Sequence, residues 1–188
     1  KLSLPRDSKI VMYTGHLYAW KGVYTLVQVI KYVPEDVALY LIGGTDRDRA
    51  ALKEFVAKES LPRIHFLPHQ PHSLMPLYQK AADVLVLPNT GKEEVSKYET
   101  SPVKLFEYLA SGRPIVASDL PSIRDIVSEK EVVFAKADDA EDLARAIQEV
   151  LHDESSSRTR IEAGEDIART HTWESRAKNI DRFVQSLM

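Results

Sequence analysis

Glu99-Thr-Ser-Pro-Val-Lys-Leu-Phe-Glu107-Tyr-Leu-Ala-Ser-Gly-Arg-Pro-Ile-Val-Ala-Ser-Asp119 sets two carboxylates eight residues apart across a helix start and runs on into an apolar strand. Ser101 is a good N-cap, Pro102 suits the first helical position and Gly112 suits the residue just past the end. These three bound a helix from Pro102 to Ser111, about three turns long. Its start offers unpaired N–H groups and partial positive charge. Placed after a loop and before a buried strand (Pro114 to Ala117), it is a ready anion site in an α/β protein, with phosphate the obvious anion.

Working outward, short apolar runs alternate with helical patterns along the chain. Ile10 to Thr14, Val37 to Ile42, Arg63 to Leu67, Val84 to Leu87, Pro114 to Ala117 and Glu131 to Phe134 read as strands, six in all. Val23 to Tyr32, Asp48 to Glu59, Ser73 to Ala82 and Ser122 to Val127 carry apolar residues at helical spacing, as the Pro102 segment does. The strand runs are continuously apolar rather than alternating, as expected where helices cover both faces of a parallel sheet. The expectation is a doubly wound, Rossmann-like α/β fold. Ala140 to Leu151, Arg158 to Arg169 and Trp173 to Val184 then read as extra C-terminal helices covering one face or edge. In such a sheet ligands sit at the carboxyl ends of strands, so the loops after the strands, Pro88 to Ser101 among them, are the ones to search.

Bulk properties narrow the classes. At 188 residues with 44% hydrophobic composition the chain suits one domain, 1–188. Net charge is −3, with basic residues spread rather than striped, so no nucleic-acid partner is expected. No cysteine is present, which excludes disulfides and thiolate metal sites. No apolar run approaches a membrane span and no signal peptide is visible. The expected location is cytoplasmic, with peripheral membrane association of the full-length protein left open. The chain begins at Lys1 rather than Met, which reads as a fragment. Neither GxGxxG nor GxxxxGK[ST] occurs, so dinucleotide oxidoreductases and phosphate-loop NTPases lose their main support. His65, His69 and His72 straddle a strand end and a Pro-rich loop, without the spacing of a metal site.

Several segments in order resemble the C-terminal, donor-binding half of a retaining glycosyltransferase of the group 1 family, with the two-Rossmann GT-B fold. They are Tyr13-Thr-Gly-His-Leu-Tyr-Ala-Trp-Lys-Gly22, Leu41-Ile-Gly-Gly44, His65-Phe-Leu-Pro68 and Leu77-Tyr-Gln-Lys-Ala-Ala-Asp-Val-Leu-Val-Leu-Pro88. The Glu99 to Glu107 block, Arg113-Pro-Ile-Val-Ala-Ser-Asp119 and Thr172-Trp173-Glu174 complete the set. The resemblance implies that a nucleoside-diphosphate sugar lies between two domains, held mainly by this one, and gives up a hexosyl group to a hydroxyl acceptor, a glycan or lipid-linked sugar. Polysaccharide biosynthesis is the implied setting. The missing N-terminal domain would supply most acceptor contacts, so the fragment alone is expected to bind donor and to transfer poorly or not at all.

The resemblance also assigns roles. Lys21, beside Gly22, matches the lysine set against the diphosphate, where a fixed cation stabilises charge growing on the leaving group; the bland alternative is a solvated lysine before a helix. His16 stands where the family usually has an arginine, so diphosphate binding depends on pH there or falls more to Lys21 and Lys104. Glu107 matches the glutamate that accepts from the ribose hydroxyls, and Glu99 the residue that touches the transferred sugar. Ser101 and Pro102 replace a usual Phe-Gly pair: Pro102 donates no N–H, the amides of Val103 and Lys104 remain, and the Ser101 hydroxyl can substitute. In the implied front-face scheme the leaving phosphate takes the acceptor proton, with no cofactor and no metal. Trp173 is expected in the core or at a domain contact. Two alternatives stand beside this reading: a non-catalytic nucleotide-sugar-binding module, and a sugar-nucleotide epimerase or hydrolase on the same fold.

Overall fold

A computed structural model describes residues 2, 4, 7–100 and 103–187. The six expected strands form one all-parallel sheet: β1 (Lys9–Thr14), β2 (Val37–Ile42), β3 (Ile64–Leu67), β4 (Val84–Leu87), β5 (Ile115–Ser118) and β6 (Val133–Ala135), in the order β3-β2-β1-β4-β5-β6. Direction of winding reverses at β1, whose neighbours are β2 on one side and β4 on the other.

Successive strand residues enter opposite layers, which is why the runs are apolar throughout. Val11 and Tyr13 of β1, Leu39 and Leu41 of β2 and Val84 and Val86 of β4 belong to one core. Over it lie α1 (Val23–Gln28), α2 (Asp46–Lys58) and α6 (Ala140–His152), the last presenting Leu143, Ala146, Ile147 and Val150. Ile10, Met12, Ala38, Tyr40, Leu85 and Leu87 belong to the other core, under α3 (Met75–Ala81), α4 (Val103–Leu109) and α5 (Pro121–Arg124).

The C-terminal helices depart from expectation. They do not share one face: α6 closes the first layer, whereas α7 (Glu154–Thr170) crosses to the second and packs on α4, adding Ile167 and Ala168 to its core. Gly164 permits that approach, since a methyl there would come within 2.8 Å of Leu109 Cδ2. The last helix, α8 (Trp173–Gln185), buries no residue. Trp173 is therefore not a core residue; 72% of it is exposed.

Boundaries move for local reasons. Thr45 caps α2, accepting from the Asp48 N–H while Asp48 reaches back to the Thr45 N–H, so the helix starts at Asp46 rather than Asp48. Glu131, read as strand, instead accepts from the backbone and hydroxyl of Ser128 and closes a turn. Val95–Glu99 forms a π-helical turn where a plain loop is expected. Ser101 and Pro102, the proposed cap and first helical residue, lie outside the described residues. No helix among the described residues is long and apolar enough to cross a membrane.

Candidate active site

The site forms where the loops after β1 and β4 meet, at the reversal of strand order, the position that open parallel sheets reserve for ligands. The two loops are joined by backbone contact. Gly22 has a left-handed φ of 72° and lies so close to the β4 loop that a methyl group would fall 1.6 Å from the Pro88 carbonyl oxygen. Trp20 offers its carbonyl to the Thr90 N–H at 3.4 Å and to the Ser96 hydroxyl at 3.4 Å. Gly22 is thus a packing residue of the site wall. Gly43, at the end of β2, similarly faces the Gly15 carbonyl at a distance (2.5 Å from an ideal Cβ) that only glycine allows.

Lys21 ends a short 3₁₀ turn, Ala19–Lys21, and is half-buried with its ammonium 3.8 Å over the Trp20 ring. Burial pushes that ammonium below the usual lysine range. Lys104, in the first turn of α4, sets its ammonium 3.7 Å over the Tyr13 ring, against the backbone of Gly15. Burial and the nearby Lys21 charge push it well below the usual range, with Glu107 acting the other way. Lys21, from the 3₁₀ turn, and Glu107, from the same helix, thus both lie within electrostatic reach of Lys104.

The others are placed less closely. Glu107 is exposed one turn along α4, with the Gln79 amide 3.5 Å from its Oε2. Glu99 ends the π-helical turn, exposed and, among the described residues, without an ion pair. Val103 is half exposed at the first described position of α4. Ser101 falls outside the described residues. His16 is exposed, its ring stacked on Tyr18 at 4.9 Å between centroids. It lies on the side of Asp48, a carboxylate held low by the hydrogen bonds from Thr45 and, further off, by His16 and Arg47. A groove of about 1170 Å³ runs between α3, α4 and α8, lined by Gln79, Phe106, His171, Trp173 and Ile180, with Val103 and Glu107 also on its wall.

Several residues that hold the site escaped the sequence reading. The Tyr108 hydroxyl receives the Thr14 N–H at 2.9 Å and so ties α4 to the end of β1. Asp138, in a left-handed conformation before α6, accepts from the Gly91 N–H at 2.8 Å and from the Thr90 hydroxyl. Arg49 donates to the carbonyls of Gly43 and Gly44 at 2.9 and 2.6 Å, bracing the β2 loop. A tyrosine inside an apolar helical face, as at Tyr108, is the one local signal available, because its hydroxyl must find a partner.

The model of the family described as glycosyl transferases group 1 matches residues 8–153. A D-inositol 3-phosphate glycosyltransferase of Xylanimonas cellulosilytica is 30% identical over 193 residues, covering 99% of this chain and 44% of the relative. Among solved structures, sucrose-phosphate synthase from Thermosynechococcus elongatus superposes with a TM-score of 0.84 at 29% identity, covering 98% of this chain and 46% of the other. Anabaena Alr3699/HepE in complex with UDP-glucose superposes with a TM-score of 0.81 at 19% identity, over 96% of this chain and 49% of the other. The chain spans a little under half the length of the curated relatives it matches.

Proposed function

We propose that this chain, which belongs to the glycosyl transferases group 1, is the part of a GT-B enzyme that holds a nucleoside-diphosphate sugar during retaining transfer of a hexosyl group. The observation that carries this reading is the convergence of Lys21 and Lys104, from separate elements, at the strand-order reversal, with Glu107 beside them. A diphosphate bears two or more negative charges and gains another as the sugar leaves. Two lysines in a partly dry site stabilise that charge more than water does.

In this scheme the bond from the anomeric carbon to the diphosphate oxygen breaks, and the acceptor oxygen bonds to that carbon from the same face. The acceptor proton passes to the departing phosphate oxygen, so no side chain of this domain acts as general base. Lys21 meets the diphosphate, helped by the Val103 N–H and the Ser101 hydroxyl. Glu107 accepts from the ribose hydroxyls, and Glu99 faces the transferred sugar as charge develops at the anomeric carbon. The relatives' greater length fits a second domain that brings the acceptor, a glycan or lipid-linked sugar.

Calorimetric titration with UDP, GDP and ADP tests the reading. One nucleotide should bind selectively. Lys21→Ala should weaken it by about 10- to 100-fold, the worth of one hydrogen bond to a charged group, while Glu107→Ala should weaken the bare nucleoside as well. Equal affinities across the three proteins would overturn the site assignment. Incubating the donor sugar nucleotide without acceptor separates a transferase from a hydrolase or epimerase.

A further inference from the structure

Lys104 occupies an unusual place for an ammonium group. It is wedged between the Tyr13 ring, 3.7 Å below, and the backbone of Gly15, where a methyl group would lie 2.9 Å from Nζ. An aromatic face is a modest partner for a cation, worth about 0.5–1 kcal/mol in exposed sites. Among the described residues no carboxylate pairs with it directly. The groups facing it are few. From β1 comes the Tyr13 phenol, kept protonated by burial; from the 3₁₀ turn comes Lys21, a like charge; on its own helix stand Glu107, turned towards Gln79, and the buried Tyr108 phenol. His16 follows Gly15 in the chain, but its ring stacks on Tyr18 on the side of Asp48. Among the described residues, Lys21 is thus the like charge acting on Lys104 and Glu107 the opposite one.

Like charges in a partly dry space disfavour each other, so one of the pair is the easier to leave unprotonated. Lys104 is the one set against backbone, its Nζ 2.9 Å from where a methyl on Gly15 would lie. An entering diphosphate reverses the balance, since its charges favour an ammonium at both positions. We propose that the diphosphate binds together with a proton taken up at Lys104, which as an ammonium then serves beside Lys21 as the second cation on the leaving group. The direction in which burial and Lys21 move the Lys104 ammonium agrees with this. The inference rests on the reading of this site as a nucleoside-diphosphate site.

The test counts protons. Each of UDP, GDP and ADP is titrated calorimetrically at about pH 8, where histidine is mostly neutral, in Tris and in EPPS, two buffers of different ionisation enthalpy. The buffer dependence of the binding enthalpy gives the protons taken up. Uptake of a substantial fraction of one proton is expected with the wild-type protein. Lys104→Arg, whose guanidinium is charged throughout, should bind nucleotide without uptake and recover affinity that Lys104→Met loses. Tight binding with a buffer-independent enthalpy would overturn the inference and leave the donor site standing. Uptake that persists in Lys104→Arg would overturn it too, by placing the proton elsewhere. Absence of binding by all three nucleotides would overturn the donor-site reading and the inference with it.

Discussion

Thr14 donates its backbone N–H to the Tyr108 hydroxyl at 2.9 Å, and its own hydroxyl lies 3.2 Å from the same oxygen, with both residues buried. This contact joins the strand that leads into Gly15 and Lys21 to the helix that carries Lys104 and Glu107. Tyr108→Phe keeps the ring and orphans the Thr14 N–H, so it should cost about 1–3 kcal/mol. Denaturant unfolding checks the value, and nucleotide affinity should fall as well, because the two lysine-bearing elements lose their tie. Unchanged stability would mean that Thr14 finds another partner.

Gly22→Ala should be more damaging than its size suggests. The left-handed backbone costs a non-glycine residue about 1–2 kcal/mol, and the added methyl cannot coexist with a Pro88 carbonyl oxygen 1.6 Å away. The β4 loop must move. A loss of at least that energy in the unfolding midpoint, with weakened nucleotide binding, is the expected result.

Asp138→Ala should loosen the loop that leads to Glu99. It removes the acceptor for the Gly91 N–H and the Thr90 hydroxyl, leaving an amide unpaired at a cost of about 1–3 kcal/mol. Amide hydrogen exchange over residues 88–99 should quicken more than exchange in the central strands. Equal change everywhere would mark a global rather than local role.

The free protein should grow more stable as pH rises above neutrality. A lysine whose folded pKa lies below its unfolded value binds fewer protons when folded, so stability increases with pH between the two values. For Lys104, held low by burial and by Lys21, that window lies below about pH 10.4. Above about pH 10 the buried Tyr13 and Tyr108, both held high by burial, reverse the trend. Unfolding midpoints from pH 7 to 9, roughly, should rise for the wild type and flatten for Lys104→Met; parallel curves would rule out the Lys104 contribution.

Much of the framework was legible because its signals are local. Continuous apolar runs such as Val84 to Leu87 announce strands covered on both faces, whereas the Thr45 cap that starts α2 at Asp46 was passed over. The π-helical turn at Val95–Glu99 was not legible. Its polar residues carry no period, and its place depends on contacts such as Ser122 Oγ to the Ser96 carbonyl at 2.9 Å. Nor could the sequence show that α7 crosses to α4, since its apolar residues mark a buried face without saying which layer buries it.

The sequence by itself determined the six strands, most of the helices, their order along the chain and the parallel sheet, because burial patterns and motifs act over a few positions. Only the tertiary structure decided that Lys104 stands over Tyr13 within reach of the charge on Lys21, with His16 turned towards Tyr18 and Asp48. That outcome depends on the strand order β3-β2-β1-β4-β5-β6. Side-by-side placement of β1 and β4 brings residues more than 80 positions apart into one low-dielectric space, and charge interactions there depend on distance and burial, which spacing along the chain does not encode.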